Sequence, residues 1–222
     1  MLLAVDTSTQ WIGLALYDGS QVLGENTWRT HAHHTVELVP ALEMLFKQTG
    51  LRPEGLQALG VALGPGSFTS LRIGLAVVKG LALALHLPVI GVPTLDVLAA
   101  AQPVRDLPLA AILQAGRGRL AVIWYEAAGG AWKAQGEAVI TRVEELAQQI
   151  RRPTLVAGEL NAEERQILSR KRKNVILASP SQSLRRPSLL AEMAWKRWQS
   201  GKVDEVISLA PIYLHVAEPI PD

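Results

Sequence analysis

Between residues 70 and 85 the chain is apolar on almost every side. Set at 100° per residue, this helix-length segment has a polar stripe of only Arg72 and Lys79. Leu71, Leu75, Val78, Ala82 and Leu85 cover one face; Ile73, Val77, Gly80 and Ala84 cover another. The apolar arc is roughly 220°, where one packing face of a helix needs about 100°. Such a helix is either central to its fold or covered on its second face by another chain. In a small two-layer lobe the second chain is the expectation, with Gly74 and Gly80 as points of close approach. A preceding helix from Thr35, carrying Leu38, Val39, Leu42, Leu45 and Phe46 and stopped by Gly50, offers its own second edge through Val36, Ala41 and Met44. Pro40 sits early in that helix, where it kinks or tightens the first turns.

Around these helices the pattern is α/β. Residues 2–5 read as a buried strand, and 11–17 and 21–28 flank the hairpin turn Asp18-Gly19. Residues 59–63 form a strand, Gly64-Pro65-Gly66 a turn, and Ser67, Thr69 and Ser70 are candidate N-caps. A strand over 88–92 leads to Thr94, which can cap a short helix to residue 101. After Gln102-Pro103 the pattern restarts. Residues 109–113 and 120–125 flank the hairpin turn Gly116-Arg117-Gly118, and more strand runs over 132–140. Helices follow over 143–150, 163–168 and 188–199, with strands at 154–157 and 175–177. Two related lobes are expected, 1–103 carrying the dimerisation helices and 104–222 smaller.

Composition removes several classes. Half of the 222 residues, 49%, are hydrophobic and 19% are charged, which excludes a disordered chain. With no cysteine there is no disulfide scaffold, Cys-ligated zinc or Cys nucleophile. The apolar run 75–92 is broken by Lys79, Gly80, His86 and Pro88, and Met1-Leu2-Leu3-Ala4-Val5-Asp6 has no basic leader. A cytoplasmic protein that makes no membrane contact is expected. The net charge of +2 does not by itself argue for nucleic acid, but residues 142–202 hold 13 basic against 6 acidic side chains. Arg151-Arg152, Arg170-Lys171-Arg172-Lys173 and Arg185-Arg186 read either as solvated surface or as a basic face that meets phosphate. No aromatic residue interleaves with the main run.

Three groups are candidates for chemistry. Asp6-Thr7-Ser8-Thr9 ends the first strand; a carboxylate and three hydroxyls there orient phosphate or a metal-bound water, or simply satisfy a turn. Gly64, Gly66 and Ser67 open the apolar helix, whose free N–H groups make a plausible anion site, although the string is not a Walker A loop. His31, His33 and His34 lack the i, i+4 spacing and carboxylates of a metal site and read as surface or capping residues; His86 and His215 are isolated.

Several strings together resemble the bacterial TsaB (YeaZ) family. They are residues 3–9 (Leu-Ala-Val-Asp-Thr-Ser-Thr), 34–40, 64–74 (Gly-Pro-Gly-Ser-Phe-Thr-Ser-Leu-Arg-Ile-Gly), 79–82, 91–95 and 211–214. The resemblance spans nearly the whole chain and is dense over the first hundred residues. It implies a two-lobed actin-like, Hsp70-like (ASKHA) fold with mixed sheets flanked by helices. It also implies a non-catalytic role in making threonylcarbamoyladenosine beside the anticodon of tRNAs that read ANN codons. The implied partners are a related catalytic subunit, TsaD, and a P-loop ATPase, TsaE. The resemblance further implies a homodimer when the chain is alone, with tRNA reached through the complex.

In the TsaD pattern two histidines hold a metal; here those positions read Thr94 and Leu98. Asp6, Thr7, Ser8, Gly64, Gly66 and Ser67 are then a vestigial phosphate site. Gln114 stands where many relatives have Asp, and Glu159 lies near the place of nucleotide phosphates. The resemblance therefore implies no metal and no tightly bound cofactor, with weak ATP or ADP binding at the complex interface. The rival reading is an enzyme, an M22-type glycopeptidase-like protein or an ATP-dependent small-molecule kinase.

Overall fold

A computed structural model describes residues 1–31, 33–171 and 173–214; Arg172 and His215 lie outside the described residues. The first sheet has the order β3-β2-β1-β4-β5. Strands β1 (Leu2–Asp6), β2 (Trp11–Tyr17) and β3 (Val22–Arg29) are antiparallel neighbours, as the turn signal at Asp18-Gly19 predicts. Strands β4 (Ala58–Ala62) and β5 (Val89–Val92) extend the sheet in parallel with β1. β1 is buried on both faces, so it is a continuous apolar run and not an alternating one. Leu3 and Val5 face helices α1 (His34–Thr49) and α2 (Phe68–Leu85), packing with Leu38, Leu42, Leu45, Leu75 and Val78. Leu2 and Ala4 face helix α6 (Pro187–Gln199) through Leu190, Ala191 and Ala194.

The second sheet has the order β11-β10-β6-β7-β8, with β9 also pairing to β7. It is built from β6 (Leu109–Gln114), β7 (Leu120–Ala128), β8 (Ala131–Ala134), β9 (Val139–Thr141), β10 (Thr154–Gly158) and β11 (Val175–Leu177). Helix α3 (Thr94–Ala100) covers one face through Leu95, Leu98 and Ala99. Helices α4 (Val143–Gln149) and α5 (Ala162–Ser169) cover the other through Val143, Leu146 and Leu168.

The packing corrects the sequence reading at several points. The expected division at 103/104 does not follow it: α3 lies before the division yet covers the second sheet, and α6 lies after it yet covers the first; nor is 104–222 the smaller half, at 119 residues against 103. The lobes thus exchange one helix each: either half carries three helices, and each sheet is covered by two from its own half and one from the other. The strand expected over 132–140 is two strands, β8 and β9, separated by a turn in which Gly136 has φ +97°. Helix α2 starts at Phe68, so Ser67 alone is its N-cap, accepting from the Ser70 N–H; Thr69 and Ser70 lie inside the helix. Thr94 does not cap α3, since Pro93 holds that position.

Candidate functional site

The parallel strands β1, β4 and β5 of the first sheet, and β6 and β10 of the second, carry their C-terminal ends to the meeting of the two lobes. This is where open α/β sheets place their ligands. A cleft of about 670 Å³ lies there, lined among others by Thr9, Trp11, Ser67, Gln114, Glu159 and Ser183. Of the six residues of the expected phosphate site, Ser67 lines the cleft; Asp6, Thr7, Ser8, Gly64 and Gly66 are packed behind it with their bonding groups turned inward. The Thr7 hydroxyl donates to Ser70 O at 2.7 Å. The Ser8 hydroxyl is 2.7 Å from Thr94 Oγ1, which also accepts from the Gly64 N–H at 2.9 Å. The Ser67 N–H donates to Ser8 O at 2.7 Å. Gly66 lies so close beneath that a Cβ would meet Ser8 O at 2.2 Å.

Behind the cleft lies a residue that the sequence reading placed on the surface. Arg185 belongs to the loop leading into α6, and its side chain is only 3% exposed. Its Nε donates to Asp6 Oδ2 at 2.7 Å, its Nη1 pairs with Glu159 Oε1, and its Nη2 donates to Thr9 Oγ1 at 3.0 Å. Thr9 in turn donates to Glu159 at 2.6 Å, and the Ser8 N–H donates to the second Asp6 oxygen at 2.8 Å. Burial opposes the Arg185 charge, but the two carboxylates outweigh it and hold its pKa above the usual arginine value. The guanidinium therefore binds Asp6 of the first sheet to Glu159, which follows β10 of the second. Gln114 adds a neutral tie, donating to Glu159 O at 2.9 Å and to Glu164 Oε2 at 2.7 Å. Arg186, the neighbour, is exposed and pairs with Glu25.

The histidine group separates. His34, expected at the surface or as a cap, is buried with Nε2 2.8 Å from Thr9 O, which fixes the strand end; His31 and His33 are exposed. Among the described residues no three His, Asp or Glu side chains are grouped to hold a metal ion.

A second site lies on the outer face of α1 and α2. Val36 is 65% exposed, Met44 52% and Leu83 68%, and Val39, Gly80 and Ala84 are exposed as well. Ala41, Ile73 and Val77 are half-buried beside them. Val39, which the sequence groups with the inner residues Leu38, Leu42, Leu45 and Phe46, is exposed instead, and Leu83 joins the outer face without having been singled out from the sequence. By length and composition α2 is long and apolar enough to cross a membrane, but its inner stripe packs on the first sheet. Gly74 is the correction here: it is buried, and a Cβ on it would meet Thr7 Oγ1 at 2.2 Å. It permits α2 to close on β1 and has no part in the outer face. Gly74→Val is accordingly expected to cost about 1–3 kcal/mol through overpacking, read as a lower urea midpoint of the isolated chain. An unchanged midpoint would place Gly74 on the outer face after all. Arg72 is likewise accounted for inside the chain. Its guanidinium lies 3.9 Å over the Phe68 ring, and its Nε donates to Tyr213 Oη at 2.8 Å.

A family model described as TsaD, tRNA N6-adenosine threonylcarbamoyltransferase, matches residues 22–181. The tRNA threonylcarbamoyladenosine biosynthesis protein TsaB of Bacillus subtilis is 28% identical over 98% of this chain and 95% of its own length. The chain belongs to this family, in its TsaB (YeaZ) branch. The solved structure of YeaZ from Pseudomonas aeruginosa superposes with a TM-score of 0.78 at 26% identity, covering 96% of this chain and 99% of that one. More distantly, an activator of 2-hydroxyisocaproyl-CoA dehydratase from Clostridium difficile, solved with ADPNP, shares the fold alone. Its TM-score is 0.51 at 10% identity, over 90% of this chain and 96% of that one. The actin-like two-lobed fold expected from the sequence is the fold observed.

Proposed function

We propose that this TsaB-branch chain is a non-catalytic subunit of the cytoplasmic machinery that makes threonylcarbamoyladenosine in tRNA. In this reading it binds and activates a TsaD-like catalytic subunit through the outer face of α1 and α2. The observation that carries the reading is that face: two adjacent helices present Val36, Val39, Met44 and Leu83 with nothing of the described chain covering them. Apolar surface of this kind gains roughly 25 cal/mol per Å² when a partner covers it, before association costs. The cleft supports the non-catalytic part. Arg185 already occupies Asp6 and Glu159 as their shared ion-pair partner, and Thr7 and Ser8 have their hydroxyls bonded internally. Thr94, where TsaD-like proteins have a metal-binding histidine, is instead a buried tie between β1 and the Gly64 turn. Alone the chain pairs with a second copy through the same face. A TsaE-like ATPase joins the assembly, and ATP or ADP binds weakly and only at the complex interface.

Co-expression with the cognate TsaD-like protein tests this. The two are expected to co-elute, tRNA modification is expected to require both, and calorimetry of the isolated chain should register no micromolar ATP binding. Modified tRNA from this chain alone, or micromolar ATP at its cleft, would replace the accessory role with an enzyme.

A further inference from the structure

The second lobe carries another surface, at the end of its sheet farthest from the cleft. Strands β6, β10 and β11 run parallel, with Leu155 opposite Leu109 and Thr154 opposite Val175. Their C-terminal ends deliver Gln114, Gly158 and Glu159 to the cleft, so their N-terminal ends lie at the opposite edge. The three segments that feed those ends bring Arg105, then Arg151 and Arg152, then Arg170, Lys171 and Lys173 to one place. The segments are tied together. The Thr154 N–H donates to Asn174 O at 2.8 Å, and the Leu155 N–H donates to Pro108 O at 2.9 Å. Adjacent strands are about 4.8 Å apart, so the three strand starts fall within about 10 Å. That is about one Debye length at 0.1 M salt, so the basic side chains carried there are only partly screened from one another.

All six side chains are on exposed residues. Arg152 pairs with Glu126. Among the described residues the other five form no ion pair, although Asp106 and Glu145 stand nearby in sequence or space. The fold also supplies what the basic run lacks in sequence. A groove of about 470 Å³ beside Arg151 and Arg152 is lined by the half-buried ring of Trp124 from β7 and by the amides of Gln135 and Gln149. Cations for phosphates, an aromatic face for stacking and amides for base edges are the combination that recognises unstacked RNA.

We propose that this edge binds RNA, with the phosphate backbone on Arg105, Arg151, Arg170, Lys171 and Lys173 and a base seated against Trp124. The inference rests on the reading that the chain works in tRNA modification, and it names the surface that would meet that tRNA. The edge belongs to the second sheet and the α1–α2 face to the first, so a protein partner and RNA can be held at once.

The test compares the parent with Arg151→Gln/Arg170→Gln/Lys171→Gln/Lys173→Gln, and separately with Trp124→Leu. tRNA binding is titrated against salt, using both the isolated chain and its assembly with the TsaD-like protein. The four-site variant is expected to bind at least about tenfold more weakly at 0.1 M salt. Its slope of log K on log salt should be shallower by about 0.7–0.9 for each phosphate that is no longer neutralised. Trp124→Leu should weaken binding by about fivefold or more with the slope unchanged, the signature of stacking. An unchanged affinity and slope in the four-site variant overturns the proposal. So does a loss confined to phosphatidylserine vesicles with tRNA binding intact, which would make the edge a membrane-binding surface. A parent that fails to assemble or to support modification overturns the functional reading instead, and the isolated-chain titration still decides the edge.

Discussion

Arg185→Met is expected to destabilise the isolated chain by about 3–5 kcal/mol, the usual cost of removing one partner from a buried charge group. The expected readout is a large fall in the urea midpoint at constant slope. Arg185 is held by Asp6, Glu159 and Thr9, and its side chain is sealed from solvent. Methionine restores much of the volume but leaves the buried Asp6 carboxylate and the largely buried Glu159 carboxylate without a counter-charge. The ion pairs themselves are not what gives stability. Taking three charges out of water offsets most of their attraction, so Asp6→Asn/Glu159→Gln/Arg185→Met together should recover most of the loss. A single-variant loss below about 1 kcal/mol would mean that the cleft admits water and that the lobes are not joined by this residue.

Much of the fold was legible because it is local. The alternation and turn chemistry of β2 and β3, the stop at Gly50 and the caps near Ser67 each depend on residues within a few positions of one another. Arg185 was not legible. It reaches a carboxylate 179 positions away, and beside the exposed Arg186 it has the sequence appearance of a solvated pair. His34 was misplaced for the same reason, since only the fold brings Thr9 O to its ring. The apolar arc of α2 was read correctly as too wide for one face. Periodicity alone, however, does not say where the chain's own core stops. Gly74 and Gly80 both sit in that arc, yet Thr7 rises against the first and nothing stands within 4 Å of a Cβ on the second. The exchange of α3 and α6 between lobes was hidden because chain order and packing order differ there.

That contrast between the two glycines gives the most discriminating test of the interface. Gly80→Arg adds its side chain to open space, so the isolated chain keeps its core. Arginine is also a better helix residue than glycine by up to about 1 kcal/mol, and the monomer should be as stable as the parent or slightly more so. Assembly should respond in the opposite sense. A guanidinium at the centre of an apolar patch formed with Val36, Met44, Leu83 and Ala84 must be desolvated without a partner when a second helix pair lands on it. A penalty of several kcal/mol follows, which weakens association by about 10²–10³-fold. Val77→Glu should act likewise, with a modest stability loss of its own because Val77 is half-buried against the first core. Sedimentation should report monomers for both variants where the parent dimerises, and neither should co-elute with the TsaD-like subunit. tRNA modification should fall with assembly, although Arg185 and the whole cleft are untouched. Retention of dimer mass and partner binding in Gly80→Arg would assign the face to bare surface. Loss of the dimer with partner binding retained would show that a second copy and the catalytic subunit use different faces.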